Sequence, residues 1–354
     1  MRTVLFTGAG ASRAIGYPLT RELLPRIRAE LKNGELFSGI NGEKEDEQDC
    51  KDLQRYLLRL LPGLSDAKDR QLPLITDVFS LVEHALISGE ALPIGGANAV
   101  RHCRDLLKRA ITAILLGDFF AEWDDTDSHQ KRERDVLDRF ARWVYRQGAK
   151  VGLVTTNYDI GLEYEVYKRM GRKLQSTTLD LGFDWRGVET GREQTRPAKP
   201  ELRVYKLHGS LDQLRCPLCG YVYFNKLGAI AVQAFRSKLD NNNTCHCRKD
   251  SRLELHIVSP SLVRDVRDAN LLSVWRSALE WMRRADRWII VGYSLPPEDL
   301  AVRSLLLRAY NTASKPPQVI VVQHGHAERP RYKLLFPGCH YQSHGLESFL
   351  AEVS

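Results

Sequence analysis

Five short segments of the chain carry residue types that can do chemistry. The most specific is a pair of cysteine turns, Cys216-Pro217-Leu218-Cys219 and Cys245-His246-Cys247. Two residues between the first pair let both thiolates chelate one zinc in a knuckle, and the second pair completes a tetrahedral set across a loop of 25 residues. Four thiolates close such a site, so its role is structural; His246 in place of one thiolate, or buried thiols without metal, are the alternatives. Next is Thr156-Asn157-Tyr158-Asp159, which follows the apolar run Val151–Val154. In open α/β sheets the carboxyl end of a strand is where ligands bind, although Asn157 or Asp159 can equally cap a helix. His208, in Leu207-His208-Gly209-Ser210, also follows a strand-like run, and its near-neutral imidazole suits proton exchange. Two glycine turns complete the set: Gly8-Ala9-Gly10-Ala11-Ser12 after Thr3–Phe6, and Gly292-Tyr293-Ser294-Leu295-Pro296-Pro297 after Trp288–Val291. Glycine lets backbone approach a pyrophosphate, and the following helix offers N–H donors. Arg13 stands where a dinucleotide fingerprint has its third glycine, so a plain tight turn fits the first of these as well.

Those segments need elements to hold them. Strands are expected at Thr3–Phe6, Val151–Val154, Arg203–Leu207, Leu255–Val258, Trp288–Val291 and Val319–Val322. Helices are expected at Leu271–Arg284, Glu298–Tyr310 and Leu346–Val353. From Leu19 to Gly148 the apolar spacing is three and four, as in Leu53-Tyr56-Leu57-Leu60 and Leu137-Phe140-Ala141-Val144, which is helical. The acidic stretch Glu43–Asp49 and the polar stretch Gly182–Pro200 read as exposed loops. Strands alternating with helices and ending in glycine turns give an α/β class: a Rossmann-like, doubly wound, mostly parallel sheet with a large helical insertion and a small zinc-binding module. The expected division is a core of residues 1–18, 149–213 and 252–354, a helical insertion 19–148, and a zinc module 214–251.

Composition narrows the classes. The 354 residues are 43% hydrophobic and 27% charged, ordinary for a globular chain and too apolar for a disordered one. No apolar run approaches the roughly 18 residues of a membrane span, and the first residues lack a cleavable leader, so a soluble cytoplasmic protein is expected. The formal charge is +8, but basic residues such as Arg139 and Arg142 interleave with acids such as Asp135 and Asp138. That pattern is a solvated helix face, and direct nucleic-acid binding is not expected. Cys50, Cys103 and Cys339 stand singly and read as small buried hydrophobes.

Taken in order, the five segments resemble the sirtuin family, and in particular its bacterial sirtuin-like, NAD-consuming branch. The turn with Ser12 resembles the family's opening NAD-binding motif, Thr156-Asn157-Tyr158-Asp159 its Gln-Asn-Ile-Asp, and His208-Gly209 its catalytic His-Gly. The four cysteines fall where that family inserts its zinc module, and Gly292-Tyr293-Ser294-Leu295 resembles its Gly-x-Ser. Three departures stand out. Deacylases carry Gly-Ile-Pro-Asp-Phe-Arg where this chain has Gly16-Tyr17-Pro18-Leu19-Thr20-Arg21. The helical stretch between the first two motifs exceeds a hundred residues. Val258-Ser259-Pro260-Ser261-Leu262 is a poor match to an acyl-lysine-binding strand.

The resemblance implies NAD as substrate and zinc as a structural ion. It implies an NAD+ hydrolase releasing nicotinamide and ADP-ribose, acting as an antiphage defence effector. The alternatives are a protein deacylase or ADP-ribosyltransferase, and a non-catalytic NAD or ADP-ribose binder. Asn157 is then expected to orient ribose hydroxyls or water, Asp159 to meet the carboxamide or balance a ribosyl cation, and His208 to act as general base. Gly8, Ala9, Gly10, Ser12 and Thr156 would hold the pyrophosphate side, Gly292 and Ser294 the adenosine half, and backbone at His344 and Gly345 the adenine. A cell-depleting activity also implies a gate, through self-association or a partner ATPase, nuclease or phage-derived activator.

Overall fold

The computed structural model describes residues 1–121, 126–171, 178–188, 191–226, 228–262, 268–297 and 299–353. The chain opens with β1 (Thr3–Thr7) and the one-turn α1 (Ala9–Arg13). Five helices follow: α2 (Thr20–Asn33), α3 (Glu43–Leu60), α4 (Ile75–Ser88), α5 (Ala97–Phe120) and α6 (Ser128–Gln147). Then come β2 (Val151–Thr155), α7 (Gly161–Met170), β3 (Leu179–Asp180), β4 (Trp185–Gly187), β5 (Glu193–Gln194) and β6 (Leu202–Lys206). The cysteine region holds β7 (Gly209–Arg215), β8 (Val222–Phe224), β9 (Thr244–Cys245), β10 (Arg248–Arg252) and β11 (Glu254–Ile257). The last third alternates: α8 (Ala269–Arg284), β12 (Arg287–Val291), α9 (Leu300–Asn311), β13 (Gln318–Val322), α10 (Arg329–Leu335), β14 (His340–Gln342) and α11 (Gly345–Val353).

Seven strands form one sheet in the order β14-β13-β12-β1-β2-β6-β3, and every pairing in it is parallel. Runs such as Thr3–Thr7 are buried at every residue, as a sheet covered on both faces requires. The fold is therefore α/β with a doubly wound, Rossmann-like parallel sheet. From β1 the chain first builds one side of the sheet, with β2, β6 and β3 in that spatial order, then returns to build β12, β13 and β14 on the other, so β1 borders the switch point where ligands bind. The register keeps the carboxyl ends flush: Thr7 is level with Thr155 and Val291, Thr155 with Lys206, and Val291 with Val322.

Two expectations fail. Glu43–Asp49 is not a loop but the first turns of α3, where carboxylates favour the positive end of the helix dipole. Within it Asp46 is buried, because Arg109 of α5, itself buried and lying over the Phe37 ring at 4.4 Å, ion-pairs with both Asp46 and Asp49. Gly182–Pro200 is not simply an exposed loop either. It contributes β4 and β5 to a second, five-stranded sheet of order β11-β7-β8-β4-β5, with Trp185 buried against Phe224. Smaller differences lie at helix ends. Asp268 caps α8 by accepting the Leu271 amide, so that helix starts at Ala269. The start of the next helix expected at Glu298 lies outside the described residues; α9 begins at Leu300. Cys50, Cys103 and Cys339 are buried as expected. Among the described residues, no helix is long and apolar enough to cross a membrane.

Candidate active site

Because the strand ends are level, the residues just beyond them meet. After β1 the backbone turns through Gly8, whose amide donates to the Val291 carbonyl at 3.0 Å, while Gly10 donates to the Gly292 carbonyl at 2.8 Å. The two glycine turns are thus stitched to each other. A methyl on Gly10 would lie 2.8 Å from the Gly292 Cα, and one on Gly292, at φ +62°, would lie 2.1 Å from the Ala11 amide nitrogen. Close backbone approach, the reason for glycine here, is in the first place between these two turns.

On the other flank, beyond β2, the Asn157 amide group donates to the Gly8 carbonyl at 2.9 Å and to the Ser12 hydroxyl at 2.7 Å. Ser12 in turn donates to Asp159 at 2.6 Å. With both donors engaged, the Asn157 side-chain oxygen is the atom left to accept. Asp159 also takes the Gly161 amide at the start of α7, so it does part of a cap's work, whereas Asn157 caps nothing. Burial pushes the Asp159 carboxyl up to about 6, against the opposing pull of Lys206. Lys206, the last residue of β6, is itself buried and donates to the Asp159 carbonyl and to Glu163. Asp212 shares this pocket of charge and is likewise pushed up to about 6 by burial.

Beyond β6, His208 is 3% exposed. Its Nδ1 lies 3.2 Å from the Thr156 carbonyl. A carbonyl only accepts, so Nδ1 is the donor in this contact. Nε2 stands 3.8 Å from Asp299 Oδ1, beyond hydrogen-bonding distance. Tyr158 and Trp275 flank the ring at 6.4 and 6.3 Å and are held by bonds to the Val258 and Leu207 carbonyls. Asp299 is buried and accepts from the Tyr293 hydroxyl at 2.9 Å.

Ala9, Gly10, Ser12, Thr156, Asn157, Asp159, His208, Gly292, Ser294 and Gly345 all line one cavity of about 860 Å³, within the range of small-molecule sites. Gly8 is not among the lining residues. His344 is exposed and pairs through backbone with His324, outside the lining. Residues of the helical insertion, Leu19 and Thr20 at the start of α2, Leu74 and Thr76 at the start of α4, and Leu115 of α5, also line it, with Arg13 and Arg21. Segment 258–262 is fastened down: Ser259 donates to Glu83 at 2.7 Å, and the Leu262 amide donates to Ser80 at 2.9 Å, both on α4. Sequence reading missed Asp299, although it lies in the same loop as Pro297, and missed Lys206, a lysine in the otherwise apolar run beside Leu207.

At the far end of the second sheet the Sγ atoms of Cys216, Cys219, Cys245 and Cys247 lie within 4.8 Å of one another. Cys216–Cys247 and Cys219–Cys245 are 3.7 and 3.5 Å apart, close to the roughly 3.8 Å edge of a tetrahedron with 2.3 Å zinc–sulfur bonds. The Cys219 amide points at Cys216 Sγ, and the Cys247 amide at Cys245 Sγ, as thiolate ligands require. Burial pushes the Cys216 thiol up, but amide donors from Cys219 and Leu218 and the Ser251 hydroxyl outweigh it and bring it down to about 6. The quartet fits a structural zinc. His246 is not part of the quartet; its Nδ1 lies 2.6 Å from the Tyr223 hydroxyl and 3.5 Å from Cys245 Sγ. Leu214, Tyr223, Ile230 and Leu253 pack with Cys216 and Cys245 as a small separate core.

No protein-family model matches the chain, and no curated protein matches it. Among solved structures it is similar to a Sir2 bound to a p53 peptide and NAD+, at 13% identity and a TM-score of 0.45 over 99% of this chain and 91% of that one. It is similar to a Sir2 homologue in complex with ADP-ribose, at 17% identity and a TM-score of 0.42 over 99% and 89%. A Sir2 bound to an acetylated peptide matches at 12% identity and a TM-score of 0.44 over 99% and 91%.

Proposed function

We propose that this chain is an NAD+ hydrolase that cleaves the nicotinamide–ribose bond, giving nicotinamide and ADP-ribose with water as acceptor. The observation that carries the reading is the meeting of Asn157 and His208, 51 positions apart, on one cavity at the carboxyl ends of adjacent parallel strands. In this reading the C–N bond breaks with its electron pair leaving on the ring nitrogen, so the nicotinamide departs neutral. The ribose carbon passes through an oxocarbenium-like state. Water adds its oxygen to that carbon, and His208 Nε2 takes the proton that is released. The Asn157 side-chain oxygen accepts from a ribose hydroxyl or the water, and its own amide is locked by Gly8 and Ser12, so orientation is set before the substrate arrives. Asp159 acts through Ser12 as a positioning residue, and Asp299 helps hold the proton acceptor side of the cavity.

Water is favoured over a peptide acceptor because segment 258–262, where an acyl-lysine strand would be needed, is bonded to α4 instead. Such an activity depletes a cell of NAD, which suits a defence effector held off by self-association or by a partner. Purified protein incubated with NAD should release nicotinamide. His208→Ala and Asn157→Ala should each slow release by about 100- to 10,000-fold. An acetylated peptide should yield no O-acetyl-ADP-ribose. Undiminished release in both variants would remove the proposed roles, and O-acetyl-ADP-ribose would turn the reading to a deacylase.

A further inference from the structure

A second cavity, of about 370 Å³, lies at the opposite, amino-terminal edge of the parallel sheet. Its floor is Trp281 of α8, which is rigidly seated. The indole crosses Gly152, where a methyl would come within 2.3 Å of Nε1, and Nε1 donates to the Thr3 carbonyl at 3.3 Å. The Arg203 guanidinium of β6 stacks on that indole, its centre 4.1 Å from the ring. Around it stand Arg2, Lys150, Arg196 and Arg284, with Glu280 as the single acid in the lining. Arg196 is neutralised by a two-pronged bond to Asp180, and Arg284 reaches Glu280 only loosely, at 3.9 Å. The side chains of Arg2, Lys150 and Arg203 make no ion pair among the described residues, although the Arg2 backbone amide donates to Asp286 at 2.6 Å. Among the described residues Arg203 donates one hydrogen bond, to the Ala149 carbonyl at 3.0 Å, out of five N–H groups. Burial lowers its pKa, Tyr205 and Asp180 partly offset this, and the Arg2 charge adds a smaller push downward.

Like charges gathered in a concavity repel unless an anion joins them. Guanidinium forks match phosphate oxygens, and a stacked guanidinium offers its edge while its face is covered. We infer that this cavity is a binding site for a phosphate-bearing small molecule, held by Arg2, Lys150 and Arg203 against the Trp281 platform. The site is remote from Asn157 and His208 and independent of the activity proposed for them. Its size suits a pyrophosphate or a nucleotide diphosphate rather than the track of a nucleic-acid strand.

The test is calorimetric titration of the full chain at constant ionic strength, with inorganic pyrophosphate and with ADP as probes. Pyrophosphate should bind. Arg203→Gln and, separately, the exposed Lys150→Gln should each weaken it about tenfold, while Asn157→Ala leaves it unchanged. Far-UV circular dichroism and the melting temperature of each variant guard against misfolding. ADP binding more tightly than pyrophosphate, and losing affinity in the same variants, would assign a nucleotide; equal affinities would assign free polyphosphate. Absence of pyrophosphate binding at millimolar concentration would overturn the inference. So would pyrophosphate binding insensitive to both the Arg203 and Lys150 substitutions.

Discussion

Asp159→Asn should change how stability depends on pH in a specific direction. The carboxyl is buried, and its pKa stands at about 6 in the folded chain against 3.8 as the ordinary value. A group whose folded pKa is raised holds its proton longer in the native state than in the unfolded one. Its stabilising contribution is complete below about 4 and is lost as pH rises through about 6. A displacement of roughly two pH units is worth about 3 kcal/mol, of which about 2 to 3 falls between pH 4 and pH 7.5. Asparagine keeps the shape and titrates nowhere. It meets the Gly161 amide or the Ser12 hydroxyl less well, which costs about 1 to 2 kcal/mol, but equally at every pH. The expected result is therefore a tilt rather than an offset: relative to the parent, the variant gains about 2 to 3 kcal/mol between pH 4 and pH 7.5. Urea unfolding at several pH values, with the two slopes compared for equal m, measures it. Parallel curves for the two proteins would refute the reasoning, since they would mean that Lys206, Ser12 and Gly161 stabilise the ionised carboxylate as well as water does.

Three further outcomes are expected. Gly292→Ala should lose about 2 to 5 kcal/mol in the same unfolding measurement, from the left-handed backbone angle and from the clash with the Ala11 amide together. Stoichiometric zinc, one ion per chain, should be found by elemental analysis. Its removal by chelation or by Cys219→Ser should abolish hydrogen-exchange protection in β9 and β10 while leaving β1, β2 and β12 protected. Ser12→Ala removes one of two anchors of the Asn157 amide and the donor to Asp159. It should cost about 1 to 3 kcal/mol and lower nicotinamide release by about tenfold or more, with little effect on the zinc content.

What could be read in the sequence follows from how local each signal is. The strands ending at Thr7, Thr155 and Val291 are unbroken apolar runs closed by glycine or polar residues, so both strand and ligand edge were legible there. The cysteine quartet was legible from spacing alone. The second sheet, apart from the strand at β11, was not. β7 is buried along nearly its whole length, polar residues included, so Ser210-Leu211-Asp212-Gln213-Leu214 shows no inside–outside alternation, and β4 and β5 are too short to announce themselves. Buried charge was illegible for another reason. Asp46 looks like one more acid in a solvated run until Arg109, 63 positions away, is folded against it. Lys206 and Glu163 hide in the same way across 43 positions, and Asp299 depends on where the loop after β12 carries it. Pairings between distant side chains leave no period in a sequence.

The backbone seam joining Gly10 to Gly292 has a further consequence. Neither turn can slide past the other, because the space between them is already filled to contact and stitched by an N–H donor. A dinucleotide laid across both would press on a ledge with no give along its middle. Adjustment would then fall to the ligand, whose torsions must fit the ledge, and to the helical residues that share the cavity. Selectivity among such molecules would rest on which of them tolerates that bend, and the same rigidity would spare the protein the entropy of ordering its own loops on capture.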